Sequence, residues 1–201
     1  MLEEEKEEEN EVFPFIHGER IDLVAQLSKW AEIYARWHND PRVRQYARYE
    51  FPIALEDVKK WFENPPQHGV RDFIVFVIYH KLDKRPIGDI GLNHINWVNR
   101  NANIFAEIGE PEYWGKGIVG EASKLMIDYA FTELNLHKVH ASVYNPNERS
   151  LRAAEKLGFK KEGVLREHLY VDGMYVDNHR FSILRKEWME RNKENIAGDN
   201  D

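Results

Sequence analysis

Apolar positions recur at helical spacing in the first part of the chain. Trp30, Ile33, Tyr34 and Trp37 share one face of a predicted helix, which Asn39-Asp40-Pro41 breaks. A second short helix is predicted around Leu55–Phe62, with Val58, Trp61 and Phe62 on one face and a stop at Asn64-Pro65-Pro66. A first strand at Glu19–Val24 precedes both helices. The pattern then changes to β-branched and aromatic runs: Asp72–Tyr79, Pro86–Trp97 with glycine bends at Gly88 and Gly91, and Asn103–Gly109. Helical period returns over 118–134, where Ile118, Ala122, Leu125, Met126 and Tyr129 line up. A strand at Lys138–Tyr144, a helix at about Asn147–Leu157 and a closing hairpin follow. The hairpin arms, Phe159–Val171 and Met174–Leu184, are joined by Asp172-Gly173, a dipeptide suited to a two-residue turn. This order implies an α/β (α+β layered) fold with a mixed, largely antiparallel sheet flanked by about four helices. The organisation reads as an acidic disordered leader at 1–11, one domain at 12–190 and a frayed polar tail at 191–201.

Composition narrows the classes. The 201 residues are 42% hydrophobic, enough for a packed core. The absence of cysteine excludes a disulfide framework, a thiolate-ligated metal and a cysteine nucleophile. Residues 3–11, with seven Glu and one Lys, supply −6 of the net charge of −7, so the body is nearly neutral. Such a run reads as a solvated tail, and the alternative of an acidic arm gathering a basic substrate has no further support. The body has no basic stripe for nucleic acid and no apolar run near the roughly 18 residues that span a bilayer, which implies a soluble, cytoplasmic chain.

The most informative stretch is Tyr113-Trp114-Gly115-Lys116-Gly117-Ile118-Val119-Gly120-Glu121-Ala122, between a strand and an amphipathic helix. Three glycines in six residues leave backbone uncovered just where a helix presents unpaired N–H groups and positive potential, a place suited to phosphate. The match to G-x-G-x-x-G also admits a dinucleotide site. Its context argues against one: the turn lies past mid-chain behind the five-residue loop Glu110–Trp114, and the acidic ribose ligand about 20 residues onward is missing. A third reading makes the glycines serve a tight turn alone.

The sequence resembles the GNAT N-acetyltransferases, closest to the branch acting on ribosomal-protein N-termini and on spermidine. Tyr113–Gly117 with Glu121-Ala122 is similar to that branch's coenzyme A turn. Val143-Tyr144-Asn145-Pro146-Asn147-Glu148-Arg149-Ser150 and Glu155-Lys156-Leu157-Gly158-Phe159 are similar to its second half. Lys161-Glu162-Gly163 through Arg166, Asp172-Gly173, Tyr175-Val176-Asp177 and Glu187-Trp188 continue the pattern, and Trp37–Pro41 with Val43-Arg44 begins it. The resemblance covers about residues 17–188. Two departures stand out: Trp114 and Val119 replace the general family's Arg or Gln slots, and Ala153-Ala154 stand where many members carry a tyrosine acid.

What the resemblance implies is direct acetyl transfer from acetyl-CoA, as cosubstrate, to a primary amine in a ternary complex. The coenzyme would contact Ile108, Gly109, Trp114, Gly115, Lys116, Gly117, Ile118, Val119, Gly120, Asn145, Asn147 and Ser150. The N–H near Ile108 would face the thioester carbonyl, the kind of donor that stabilises a developing oxyanion. An alkylamine is protonated at neutral pH, its pKa being about 10, so a base is needed. Glu107 is the candidate base: it alternates away from Ile104, Ala106 and Ile108 and shares a face with Phe105, an apolar neighbour able to raise its pKa. The plainer alternative is a salt-bridged structural carboxylate. Ser150 is the candidate near the leaving sulfur, against a serine bonded to backbone early in its helix. Asn145 and Asn147 also read as helix-start residues, and Asp177 as architectural.

Tyr46, Tyr49 and Glu50, in the loop between the first two helices, are candidates for the acceptor groove. No histidines have metal-ligand spacing except the three-apart His137 and His140, so no metal is expected. The acceptor stays open among a protein N-terminus, a polyamine and an amino sugar: a small-molecule or peptide amine, with no nucleic acid or membrane partner and room for a homodimer. Two other classes remain, a non-catalytic CoA-binding scaffold and a dinucleotide-dependent oxidoreductase.

Overall fold

Among the described residues, six α-helices and eight strands follow the changes of period in the hydrophobic pattern. A computed structural model describes residues 11–63, 71–144 and 147–198. The strands are β1 (Pro14–His17), β2 (Ile21–Val24), β3 (Ile74–His80), β4 (Arg85–Asn96), β5 (Asn101–Ile108), β6 (Lys138–Tyr144), β7 (Lys160–Val171) and β8 (Met174–Leu184). The helices are α1 (Ala31–Asn39), α2 (Pro41–Ala47), α3 (Leu55–Glu63), α4 (Ile118–Thr132), α5 (Glu148–Lys156) and α6 (Arg185–Gly198). Hydrogen bonds order the strands β1-β2-β3-β4-β5-β6-β8-β7. β1/β2, β2/β3, β6/β8 and β7/β8 are antiparallel, and β5/β6 is parallel. The parallel ladder joins Asn101, Ala102 and Asn103 to Lys138, Val139 and His140. Past Asn103, β5 runs on to Ile108.

Residue contacts divide the chain into two compact units. The first comprises the described residues within Met1–Gln67, Val75–Ile90 and Glu107–Ala122. Its core is Val24, Trp30, Ala31, Tyr34, Trp37, Val43, Val58 and Val77: the inward stripe of α1, Trp30 from the single 3-10 turn before it, and single anchors from α2, α3 and two strands. Gly109 is required here by close approach: a Cβ would lie 2.2 Å from Cδ2 of Trp37, so the indole packs onto bare backbone at the end of β5. The second unit comprises the described residues within His68–Ile74, Gly91–Ala106 and Ser123–Asp201. Its buried residues include Leu92, Ala102, Met126, Ile127, Phe131, Leu136, Val139, Phe181, Ile183 and Trp188. The Asp172-Gly173 turn has φ of 48° and 84°, the left-handed pair that a two-residue hairpin requires.

The structure corrects the sequence reading in four places. The helices number six among the described residues, rather than about four. Pro41 starts a helix as well as ending one: Asp40 accepts the Arg42 amide at 2.8 Å, and proline at the first position needs no N–H partner. Tyr46 therefore lies on α2 and not in a loop. Strand β1 precedes the expected first strand, and α6 continues to Gly198 through the polar segment from residue 191 where the sequence suggests fraying. Residues 1–10 of the leader, Asn64-Pro65-Pro66 and Asn145 lie outside the described residues.

Candidate active site

The glycine turn belongs wholly to the first unit. Gly115 and Gly117 have φ of 75° and 77°, a left-handed backbone that L side chains rarely adopt. A Cβ built at Gly115 or Gly120 meets nothing within 4 Å, and one at Gly117 meets Nη2 of Arg20 at 3.7 Å. The amides leading into α4 are thus open, and a diphosphate has room to approach them. The turn is held from below by Glu121. Its Oε1 accepts the Arg20 amide at 2.8 Å and the Ile21 amide at 3.3 Å, and its Oε2 accepts Nε of Arg20 at 2.8 Å. Arg20 Nη1 also donates to the Lys116 carbonyl at 2.8 Å. Burial pushes the Glu121 carboxyl up, but these donors outweigh it and hold the group below its ordinary value. Arg20, which the sequence reading passed over, places a cation beside the turn. Lys116 adds another, its Nζ 5.2 Å from the ring centroid of Tyr113.

At the end of β5, Trp114 Nε1 donates to the Ile108 carbonyl at 2.8 Å. Gly109 N–H donates to the Ile87 carbonyl on β4 at 3.0 Å. The Glu107 carbonyl oxygen faces β4, 2.1 Å from where a Cβ at Gly88 would stand, and the N–H of a trans peptide points opposite to its C=O, so the Ile108 N–H points away from β4. The following Glu110 is buried and accepts from Arg36, from Trp37 Nε1 at 2.9 Å and from Arg85 at 2.9 Å. That network fixes the exit of β5. Ile118 is buried and can offer a ligand its backbone alone, whereas Gly115, Lys116 and Gly117 are exposed.

Glu107 is not salt-bridged among the described residues. Its Oε2 accepts the hydroxyl of Tyr49 at 2.7 Å. Burial pushes its carboxyl up to about 7, and the Tyr49 bond pulls in the opposite direction. Tyr49 is raised in turn by burial, by the charge of Glu107 and by the same bond. The ring of His38 stacks on Tyr49 with centroids 3.8 Å apart. Tyr46 meets Trp114 edge-on at 5.9 Å, and Glu50 pairs with Arg48 at 3.2 Å. The structure thus brings Glu107 and Tyr49 together, sets Tyr46 against Trp114 at the start of the glycine turn and turns Glu50 outward.

Asp89 is a second residue the sequence reading missed. Its carboxyl is raised well above the ordinary range by burial and by the charge of Glu107, and its Oδ1 is buried without a hydrogen-bond partner. The available signal was an aspartate between glycines in an otherwise apolar strand, Ile87-Gly88-Asp89-Ile90-Gly91.

In the second unit, Asn147 Oδ1 accepts the Ser150 amide at 3.2 Å and caps α5, the structural role its position suggested. Asp177 accepts the Glu167 amide at 2.9 Å beside the irregular register of β7, which is the architectural role expected of it. Among the described residues no three metal-ligating side chains come together.

A family model described as an acetyltransferase (GNAT) domain matches residues 23–160. Spermidine N(1)-acetyltransferase of Escherichia coli (strain K12) is 33% identical over 177 residues, 87% of this chain and 87% of that protein. A putative ribosomal N-acetyltransferase of Bacillus subtilis (strain 168), YdaF, is 42% identical over 101 residues, 50% of this chain and 55% of that one. The crystal structure of spermidine N-acetyltransferase from Vibrio cholerae in complex with CoA and spermine superposes with a TM-score of 0.77 at 26% identity, covering 85% of this chain and 98% of that one. The family match over residues 23–160, the 33% identity across most of both chains and the superposition decide the assignment: the chain belongs to the GNAT acetyltransferase family and is an acetyl-CoA-dependent N-acetyltransferase.

Proposed function

We propose that the acceptor is a polyamine-like alkylamine and that Glu107 is the base that takes its proton. The observation that carries this reading is the state of Glu107. It is a carboxylate without a protein cation, hydrogen-bonded from Tyr49 at 2.7 Å and poised near neutrality. A general base works best when its pKa lies near the operating pH. Glu110, by contrast, is a buried carboxylate held by two arginines.

Acetyl-CoA supplies an activated acetyl thioester. The amides of Gly115, Gly117 and Gly120 and the cations of Arg20 and Lys116 fit its diphosphate, and the Ile108 N–H, directed away from β4, fits an acyl carbonyl oxygen. Tyr49 orients Glu107 and favours its ionised form. Glu107 accepts one proton from the acceptor's ammonium group, which frees the nitrogen lone pair for attack. Ser150, at the start of α5, is the candidate for the leaving sulfur, and Asn145 and Asn147 are candidates for coenzyme contacts. Ala153 and Ala154 supply no phenol, so the chain uses no tyrosine acid at those positions.

The polyamine class is supported by the 33% identity to the Escherichia coli spermidine enzyme across most of both chains. A protein N-terminal amine is the second reading, favoured by the higher, shorter match to the ribosomal N-acetyltransferase. A thiol-release screen with acetyl-CoA and spermidine, spermine, N-terminal peptides and amino sugars separates them. Spermidine is expected to give the highest kcat/KM, and Glu107→Gln is expected to lower kcat with little change in donor affinity. Turnover confined to peptides would transfer the assignment to the second reading, and wild-type kcat in Glu107→Gln would remove the base.

A further inference from the structure

The register of β4 and β5 puts a second carboxyl beside Glu107. The two strands are joined by the four-residue turn Trp97–Arg100 and are neighbours in the sheet, so they run antiparallel. Counting back from the Gly109 N–H bond to the Ile87 carbonyl sets Ile108 opposite Gly88 and Glu107 opposite Asp89. The close approach at Gly88 agrees: a Cβ there would lie 2.1 Å from the Glu107 carbonyl oxygen and 2.9 Å from Cα of Ile108. Directly opposed residues share a face with Cβ atoms about 5 Å apart, and like charges placed so are destabilising.

The two carboxylates buried among the described residues each have a cation: Asp22 has Lys81, beside His17, and Glu110 has Arg36 and Arg85; the half-buried Glu121 has Arg20. Among the described residues no Lys, Arg or His pairs with Asp89 or Glu107. Tyr49 donates to Glu107 alone, which leaves Asp89 Oδ1 buried and unpartnered. The hydroxyl of Tyr34, on a side chain 4% exposed, also lacks a hydrogen bond. The charge of Asp89 reaches that phenol. Among the described residues, the titratable groups that feel the pair's charge are Tyr34 from α1 and Tyr49 from the segment after α2, both acids and neither a counter-ion; His38, also on α1, stacks on Tyr49 and is held below its ordinary value by burial.

We propose that Asp89 is the counter-ion of the acceptor's ammonium group and stands with Glu107 as a two-carboxyl seat that selects a cationic amine. The proposal rests on Glu107 being the base. A primary ammonium brings the missing charge and three N–H donors, one of them for the unpartnered Asp89 Oδ1. Without substrate, Asp89 keeps its proton, because two anions cannot stand opposite one another in a partly buried place. When the ammonium enters, Asp89 ionises and its proton leaves to solvent. Glu107 then takes one ammonium proton, and Asp89 remains the anion beside the neutral amine.

The test compares wild type, Asp89→Asn and Glu107→Gln with acetyl-CoA and spermidine. Loss of one buried, paired charge is expected to raise the spermidine KM of Asp89→Asn by about 10- to 100-fold, with kcat within about threefold. Glu107→Gln is expected to do the reverse, lowering kcat with KM nearly unchanged. An unchanged KM in Asp89→Asn, or a kcat that falls as far as KM rises, overturns the counter-ion. Wild-type kcat in Glu107→Gln overturns the base instead, so the two failures are distinct. A second measurement needs no variant. The carbon-13 carboxyl resonance of Asp89 in the wild-type enzyme should be that of an acid at pH 7.5 and become that of a carboxylate on saturation with spermidine and CoA. A resonance that stays put, or spermidine that neither binds nor turns over, overturns the proposal.

Discussion

Tyr49→Phe deletes one oxygen and isolates the bond that favours ionised Glu107. A hydrogen bond to a charged group contributes about 1.5–3 kcal/mol, and each pKa unit corresponds to about 1.4 kcal/mol. Losing it should therefore move the Glu107 midpoint upward by about 1–2 units from its value of about 7. At pH 7 the wild-type group is about half ionised, and in the variant about 1–10%. The expected result is a kcat/KM at pH 7 lower by roughly 5- to 50-fold, with most of the loss recovered above about pH 9. The assay is thiol release under kcat/KM conditions from pH 5.5 to 10, with donor affinity measured alongside to confirm an intact coenzyme turn. An acidic limb that stays where it is in wild type would refute the reasoning, as would a loss that persists at high pH.

Glu107→Gln should also change stability in a pH-dependent way. The folded state raises this carboxyl from 4.5 to about 7, so its favourable contribution is complete below 4.5 and disappears as pH rises through 7. Urea unfolding should therefore show the variant gaining on wild type at pH 8, by at most about 3 kcal/mol, with no such gain at pH 4. Gly117→Ala forces an L residue to φ near 77°, at a cost of about 1–2 kcal/mol; calorimetry should show CoA affinity lower by roughly 5- to 30-fold. Gly109→Ala drives a methyl into the Trp37 indole at 2.2 Å and should destabilise the fold by about 1–3 kcal/mol or more, read as a lower urea midpoint. Removing residues 1–11 should leave turnover of a neutral peptide acceptor unchanged, and a large loss would give the acidic leader a role.

The glycine turn was legible because its chemistry is local. Consecutive residues make both the left-handed backbone and the helix start, and Trp114 through Ala122 state them in order. The strands and the Asp172-Gly173 hairpin were legible for the same reason, being written in period and turn residues. Glu107 is a candidate from strand alternation and the family resemblance, and the structure adds the Tyr49 bond that period alone does not show. Asp89 and Arg20 were not legible, since their meaning lies in partners far along the chain: Glu107 across a sheet register and Glu121 about a hundred residues away. α2 was hidden because Asp40-Pro41 signals a stop and a start alike, and α6 because its sequence is mostly polar around the buried anchor Trp188.

The central claim is that this enzyme holds a carboxyl at the end of β5 ready to exchange a proton at neutral pH. A carbon-13 titration of the Glu107 side chain in the free wild-type protein measures this directly. A midpoint near 7 is expected, and one in the ordinary carboxylate range near 4.5 would contradict it.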